Sequence, residues 1–99
     1  MARELIAAYE TMIDKAHARG LKVYGATIAP FAQSFYYKDF REAARKTVNT
    51  WIRESGRFDA VIDFDHTLQN PADPMTIKPE AHTGDYLHPN EAGYVLMGE

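Results

Sequence analysis

Ninety-nine residues with 11 Lys and Arg against 14 Asp and Glu carry a net charge of −3, which excludes a nucleic-acid or anionic-membrane surface built on bulk positive charge. An apolar fraction of 45% beside a charged fraction of 25% is ordinary for a folded domain and excludes a disordered chain. The lack of cysteine removes thiol catalysis, cysteine-ligated zinc and disulfides, and is silent on compartment.

From about Arg3 to Arg19 the pattern predicts an amphipathic helix. Leu5, Tyr9, Met12 and Ala16 form an apolar stripe with Ile6 and Ile13 beside it, and Gly20 suits a left-handed C-cap. Leu21 to Ile28 is a β-rich run stopped by Pro30, and its near-continuous apolarity predicts an interior parallel strand. Ala29 to Tyr37 reads as a loop. Phe31, Phe35, Tyr36 and Tyr37 lie in it, at the strand end where α/β folds place ligands, and suit either a substrate pocket or packing on the next helix. That helix is predicted from about Lys38 to Glu54, with Phe40, Ala44, Val48, Trp51 and Ile52 on its apolar face. Phe58 to Phe64 (FDAVIDF) is the second strand, centred on Val61 and Ile62. His66 to Thr83, with Pro71, Pro74 and Pro79, reads as irregular, and Asn90 as the N-cap of a last helix. No apolar run approaches the ~18 residues of a membrane span, and no basic-then-apolar leader is present, so neither a span nor self-directed export is expected.

The order predicts an α/β fold with parallel strands and right-handed crossovers. Two parallel strands need cover on both faces and neighbours on both edges. Residues 1–99 are therefore expected to be the C-terminal part of a larger domain.

Gly84-Asp85-Tyr86-Leu87-His88-Pro89-Asn90 carries the sharpest chemistry. It sets a carboxylate three residues before an imidazole, in a loop entering a helix. Acyl transfer by a serine needs a histidine to take the nucleophile's proton and an acid to fix its tautomer. Asp85 can reach the Nδ1 side of His88 while Nε2 faces outward, and Pro89 stiffens the turn. The alternative from spacing alone is a surface pair without chemistry.

The block Gly84 to Gly93, Gly-Asp-x-x-His-Pro-Asn-x-x-Gly, resembles the last conserved block of the SGNH (GDSL-type) esterases and lipases. The likeness extends through Ala16 to Gly20, Ala26 to Phe31, Arg45 through Val48 to Arg53, Phe58 to Asp65 and Asn70 to Pro74. It implies the C-terminal part of a three-layer α/β/α flavodoxin-like parallel-sheet domain. It also implies that Asp85 and His88 are the acid and base of a Ser-His-Asp triad, acting on a lipid, carbohydrate or other small-molecule ester without cofactor or metal. In that family the nucleophile lies in an N-terminal Gly-Asp-Ser block, and the oxyanion hole uses a Gly and the Asn of a Gly-x-Asn-Asp block. Here the only serines, Ser34 and Ser55, and the three asparagines, Asn49, Asn70 and Asn90, stand in no such setting. The resemblance thus implies a chain inactive alone, completed by the missing N-terminal half or by another copy of the chain.

Other readings compete. Ala60 to Leu68 fits the hhh-D-x-D-x-T-L pattern of haloacid-dehalogenase-type phosphatases, in which Asp63 would attack phosphorus with Mg²⁺ and Asp65 would act as acid/base. The plain alternative is that both are strand-end carboxylates capping loop amides. Asp63, Asp65, His66, His82, Asp85 and His88 could ligate a divalent cation, although no helical ligand spacing supports it. His17 reads as a surface residue suited to a helix C-terminus. A non-catalytic α/β assembly module is the remaining class.

Overall fold

The computed structural model describes residues 2–98. Helix α1 (Ala2–Ala18) buries Ile13 most deeply, with Leu5, Ile6, Tyr9 and Ala16 half-buried beside it. That line centres on Tyr9 and Ile13, which leaves Met12 on its margin; expected in the stripe, it is 63% exposed. The helix ends as expected at Gly20, whose φ is +75°. Gly20 N–H donates to His17 O and Leu21 N–H to Ala16 O, the paired bonds of a Schellman cap.

Strand β1 (Tyr24–Ala26) leads through a turn-rich loop to α2 (Asp39–Glu54) and then to β2 (Ala60–Ile62). The two strands pair in parallel, Tyr24 with Ala60, Gly25 with Val61 and Ala26 with Ile62. The adjacent parallel pairing agrees with the sequence pattern. Each strand keeps only three residues of the longer predicted run.

Gly25 is buried against Phe58, which joins Trp51 at 5.6 Å and Tyr9 at 6.4 Å between ring centroids. This aromatic knot ties α1 and α2 to one face of the sheet. On the opposite face Tyr24, Ala26, Ala60 and Ile62 are exposed. The expected interior strands are therefore covered on one side only at β1, and at β2 all three residues are exposed, Val61 at 40% and Ile62 at 47%.

The span expected to be irregular is ordered. It contains α3 (Phe64–Leu68), the antiparallel hairpin β3 (Gln69–Asn70) and β4 (Asp73–Ile77), and a 3-10 turn (Pro79–Ala81) before α4 (Glu91–Gly98). Short polar side chains build it. Asp63 caps α3 by accepting from His66 N–H at 3.1 Å, and Asn70 Oδ1 accepts from Ala72 N–H across the hairpin turn. Leu68, Ile77 and Ala81 form a buried cluster against Ala29, Leu96 and Met97. Ala32 N–H donates to Met75 O at 2.9 Å and links this part to the loop after β1.

The inward side of α2 also differs from its apolar pattern. Phe40 is 60% exposed, whereas Glu42, Arg45 and Asn49 are buried with Val48 and Ile52. Arg45 makes a two-pronged bond with Glu42 at 2.9 and 2.8 Å and reaches Asp65 at 2.6 Å. Asn49 pairs its amide with the backbone N–H and C=O of Ile28, at 2.7 and 2.9 Å, replacing the partner that this residue lacks beyond the strand end.

Candidate active site

The loop 82–90 folds back on itself before α4. His82 and Pro89 form an isolated antiparallel bridge, and Thr83 N–H donates to His88 O at 3.0 Å. Asn90 secures the base of the loop. Its Nδ2 donates to Glu80 O and His82 O, and its Oδ1 accepts from Gly93 N–H as the predicted cap of α4. Gly93 is needed at that point because a Cβ there would lie 2.3 Å from the Ala81 carbonyl oxygen.

Within this frame Asp85 Oδ2 stands 2.6 Å from His88 Nδ1. An ionised carboxylate only accepts, so Nδ1 carries the proton and Nε2 of the neutral ring is the basic nitrogen. Asp85 Oδ1 accepts from the backbone N–H of Leu87 and of His88, at 2.9 and 3.0 Å. The bond from His88, these amides and the Thr83 side chain hold the Asp85 carboxyl well below the usual carboxylate range. The His88 side chain is 65% exposed, and no hydrogen bond to its Nε2 forms among the described residues. The arrangement is an oriented imidazole with a fixed counter-charge and an open basic nitrogen.

Other predicted candidates are placed elsewhere. Asp63 accepts from Arg53 at 2.8 Å through both oxygens and from Thr27 Oγ1, while Asp65 takes Arg45 on one oxygen and Arg53 on the other. The Arg53 bond, with His66 N–H and Thr27 behind it, pushes the Asp63 carboxyl down. Every oxygen of this pair is engaged in an ion pair with Arg45 or Arg53, which gives the motif a structural role in joining α2 to the end of β2. The strand-end capping alternative describes Asp63 correctly.

The six residues weighed as metal ligands do not converge. Among the described residues no group of three or more His, Asp or Glu side chains could hold a metal ion. His66 meets Gln69, and His17 Nε2 pairs with Asp59 at 2.9 Å, joining the end of α1 to the entry of β2 rather than standing alone on the surface.

Ser34 is buried with its Oγ accepting from Tyr36 N–H, and Ser55 Oγ accepts from Arg57 N–H. Among the described residues neither hydrogen-bonds to His88. Phe31 packs edge-on against Tyr36 and Tyr37, and Arg41 lies over the Tyr36 ring at 4.1 Å. Phe31 and Tyr36 help line a cavity of about 140 Å³ with Leu5, Ile28 and Val48. None of the cavity's lining residues belongs to the 82–90 loop. Phe35 stays 81% exposed. The aromatic run thus divides between packing and surface. Sequence reasoning missed the Arg45–Glu42–Asp65 network, because charged residues on a helix read as its solvent side.

The model of the GDSL-like lipase/acylhydrolase family matches residues 1–96. Among solved structures, a GDSL-like lipase from Bacteroides thetaiotaomicron VPI-5482 superimposes with a TM-score of 0.77 at 18% identity. The match covers 98% of this chain and 48% of that one, so the chain spans about half the length of that structure. No curated protein matches.

Proposed function

The chain belongs to the GDSL-like lipase/acylhydrolase family, and on that premise we propose that Asp85 and His88 are the acid and base of a serine ester hydrolase. The observation that carries the reading is the 2.6 Å contact from Asp85 Oδ2 to His88 Nδ1, with Nε2 left open. In the proposed reaction Nε2 removes the proton of a serine hydroxyl as that oxygen attacks an ester carbonyl. Asp85 stabilises the imidazolium that forms. The proton is then given to the departing alcohol, leaving an acyl-serine that water hydrolyses by the same route in reverse.

The serine and the oxyanion donors are proposed to come from polypeptide beyond these 99 residues, with which residues 1–99 form one domain. Ser34 and Ser55 each accept from a backbone amide and neither hydrogen-bonds to His88, which supports this division. The bare sheet face with Tyr24 and Ile62 offers apolar surface for such a complement.

The test is p-nitrophenyl acetate hydrolysis by the chain alone and after mixing with a polypeptide carrying the family's Gly-Asp-Ser block. Saturable turnover is expected only in the mixture and is expected to vanish with His88→Ala. Saturable turnover by the chain alone that survives His88→Ala would overturn the reading.

A further inference from the structure

The loop that carries Asp85 and His88 closes on a second imidazole that the proposed chemistry does not use. His82 Nδ1 lies 2.9 Å from Gly84 N and 3.3 Å from Tyr86 N. Both amides donate, so Nδ1 is the bare nitrogen of a neutral ring and the proton sits on Nε2. The Tyr86 ring covers the imidazole, with centroids 4.4 Å apart and planes 31° apart.

The main chain of His82 is fastened from the other side. Its carbonyl accepts from Asn90 Nδ2, and His82 bridges Pro89. The ring thus reaches from the capped base of α4 to the two residues that flank Asp85. Those two have unusual backbones, with φ of +110° at Gly84 and +61° at Tyr86. A tyrosine rarely adopts the second conformation unless its surroundings specify it. The two amide bonds to Nδ1 and the ring contact supply that specification. Between them Asp85 points toward the amides of Leu87 and His88 and the His88 ring.

We propose that His82 is a positioning residue for the Asp85–His88 pair, its bare Nδ1 holding the flanking amides so that the carboxylate meets the His88 ring. The proposal rests on the reading of that pair as acid and base. Side-chain shape separates acceptor from bulk. In His82→Asn, Oδ1 falls where Nδ1 lies and can take the same amides. In His82→Phe the ring that Tyr86 covers is kept and the acceptor is lost.

Nitrogen-15 and proton NMR of the 99-residue chain tests this without turnover, so its failure is distinguishable from failure of the hydrolysis assay. At neutral pH the His82 ring is expected to show an unprotonated Nδ1; a proton on Nδ1 would overturn the proposal. The nitrogen-15 shifts of the His88 ring, read through its carbon-bound protons, are expected to show a protonated Nδ1 in the wild type and in His82→Asn and to move toward a mixture of tautomers in His82→Phe, with the far-ultraviolet circular dichroism unchanged in both. Wild-type His88 shifts in His82→Phe would overturn the proposal, as would a mixture of tautomers at His88 in a folded His82→Asn. Should His82→Phe unfold the chain, the tautomer and His82→Asn decide.

Discussion

At Asp85 one carboxylate serves two purposes with different oxygens: Oδ1 shapes the turn through two amides, and Oδ2 orients the His88 ring. Asp85→Asn can keep the first role and not the second, because an amide NH₂ facing Nδ1 forces the proton onto Nε2. In a complemented, active assembly this substitution is expected to lower kcat by up to ~10⁴-fold, the scale on which a triad loses its acid, and steady-state kinetics checks it. Gly84 answers a different demand. Its φ of +110° is closed to residues with a Cβ, so Gly84→Ala should destabilise the loop by about 1–3 kcal/mol, read as faster amide exchange at Leu87 and His88. The pairing of Asp85 with His88 was legible in the D-x-x-H spacing. The role of His82 was not, since its partners are backbone amides and a sequence shows no backbone donors. An imidazole two residues before a glycine in a tight turn was the one available signal.

The elements follow the same division between what a pattern displays and what packing decides. Helix α2 was legible as a helix, but its inward side was read from apolar residues alone. Burial chose Arg45, Glu42 and Asn49 because the loop after β1 and the start of α3 present a carbonyl, an amide and a carboxylate there. Arg45→Met should cost about 3–5 kcal/mol by stranding the buried Glu42 carboxylate and leaving Asp65 to Arg53 alone, whereas exposed Phe40→Ala should move stability by no more than about 0.5 kcal/mol. Urea midpoints at constant slope separate the two. The short helix and hairpin at 64–77 escaped the pattern because each has too few residues for a period, and its prolines read as breakers. Pro74 is tolerated at an exposed position of β4, and Pro71 lies in the turn. Close approach ranks two further substitutions. A Cβ at Gly25 would lie 2.7 Å from the Phe58 ring, a side chain packed against Trp51 and Tyr9, while at Gly93 it would lie closer still, 2.3 Å from backbone oxygen. Overpacking costs typically ~1–3 kcal/mol, so thermal melting should show a larger loss for Gly93→Ala than for Gly25→Ala.

Across the whole molecule the α/β class, the parallel pairing and the family were legible, and the depth of burial was not. A Cα radius of gyration of 14.4 Å exceeds the ~13 Å of a compact domain of this length, consistent with a sheet covered on one face. With so few apolar residues buried, polar ties carry the junctions between elements. Asp59 joins α1 to β2 through His17 and the Val23 amide, and Asp63 joins β1, α2 and α3 through Thr27, Arg53 and the His66 amide. Both carboxyls are held below their ordinary value of 3.8, Asp59 first by the Val23 amide and Asp63 first by Arg53. A carboxyl whose folded-state pKa is depressed binds fewer protons folded than unfolded near that value. Its contribution is therefore complete above about pH 5 and is lost as pH falls through 4 and below. The Asp63 side chain is 37% exposed, so solvent screening limits its share to about 1 kcal/mol. Thermal midpoints should accordingly change little on account of these groups between pH 7 and pH 5 and fall steadily from pH 4 to pH 2. Asp63→Asn should start lower at pH 7 and fall less steeply in acid, converging toward the wild type near pH 2. A variant that loses stability as steeply as the wild type below pH 4 would remove Asp63 from the acid-sensitive ties and leave the decline to other carboxylates.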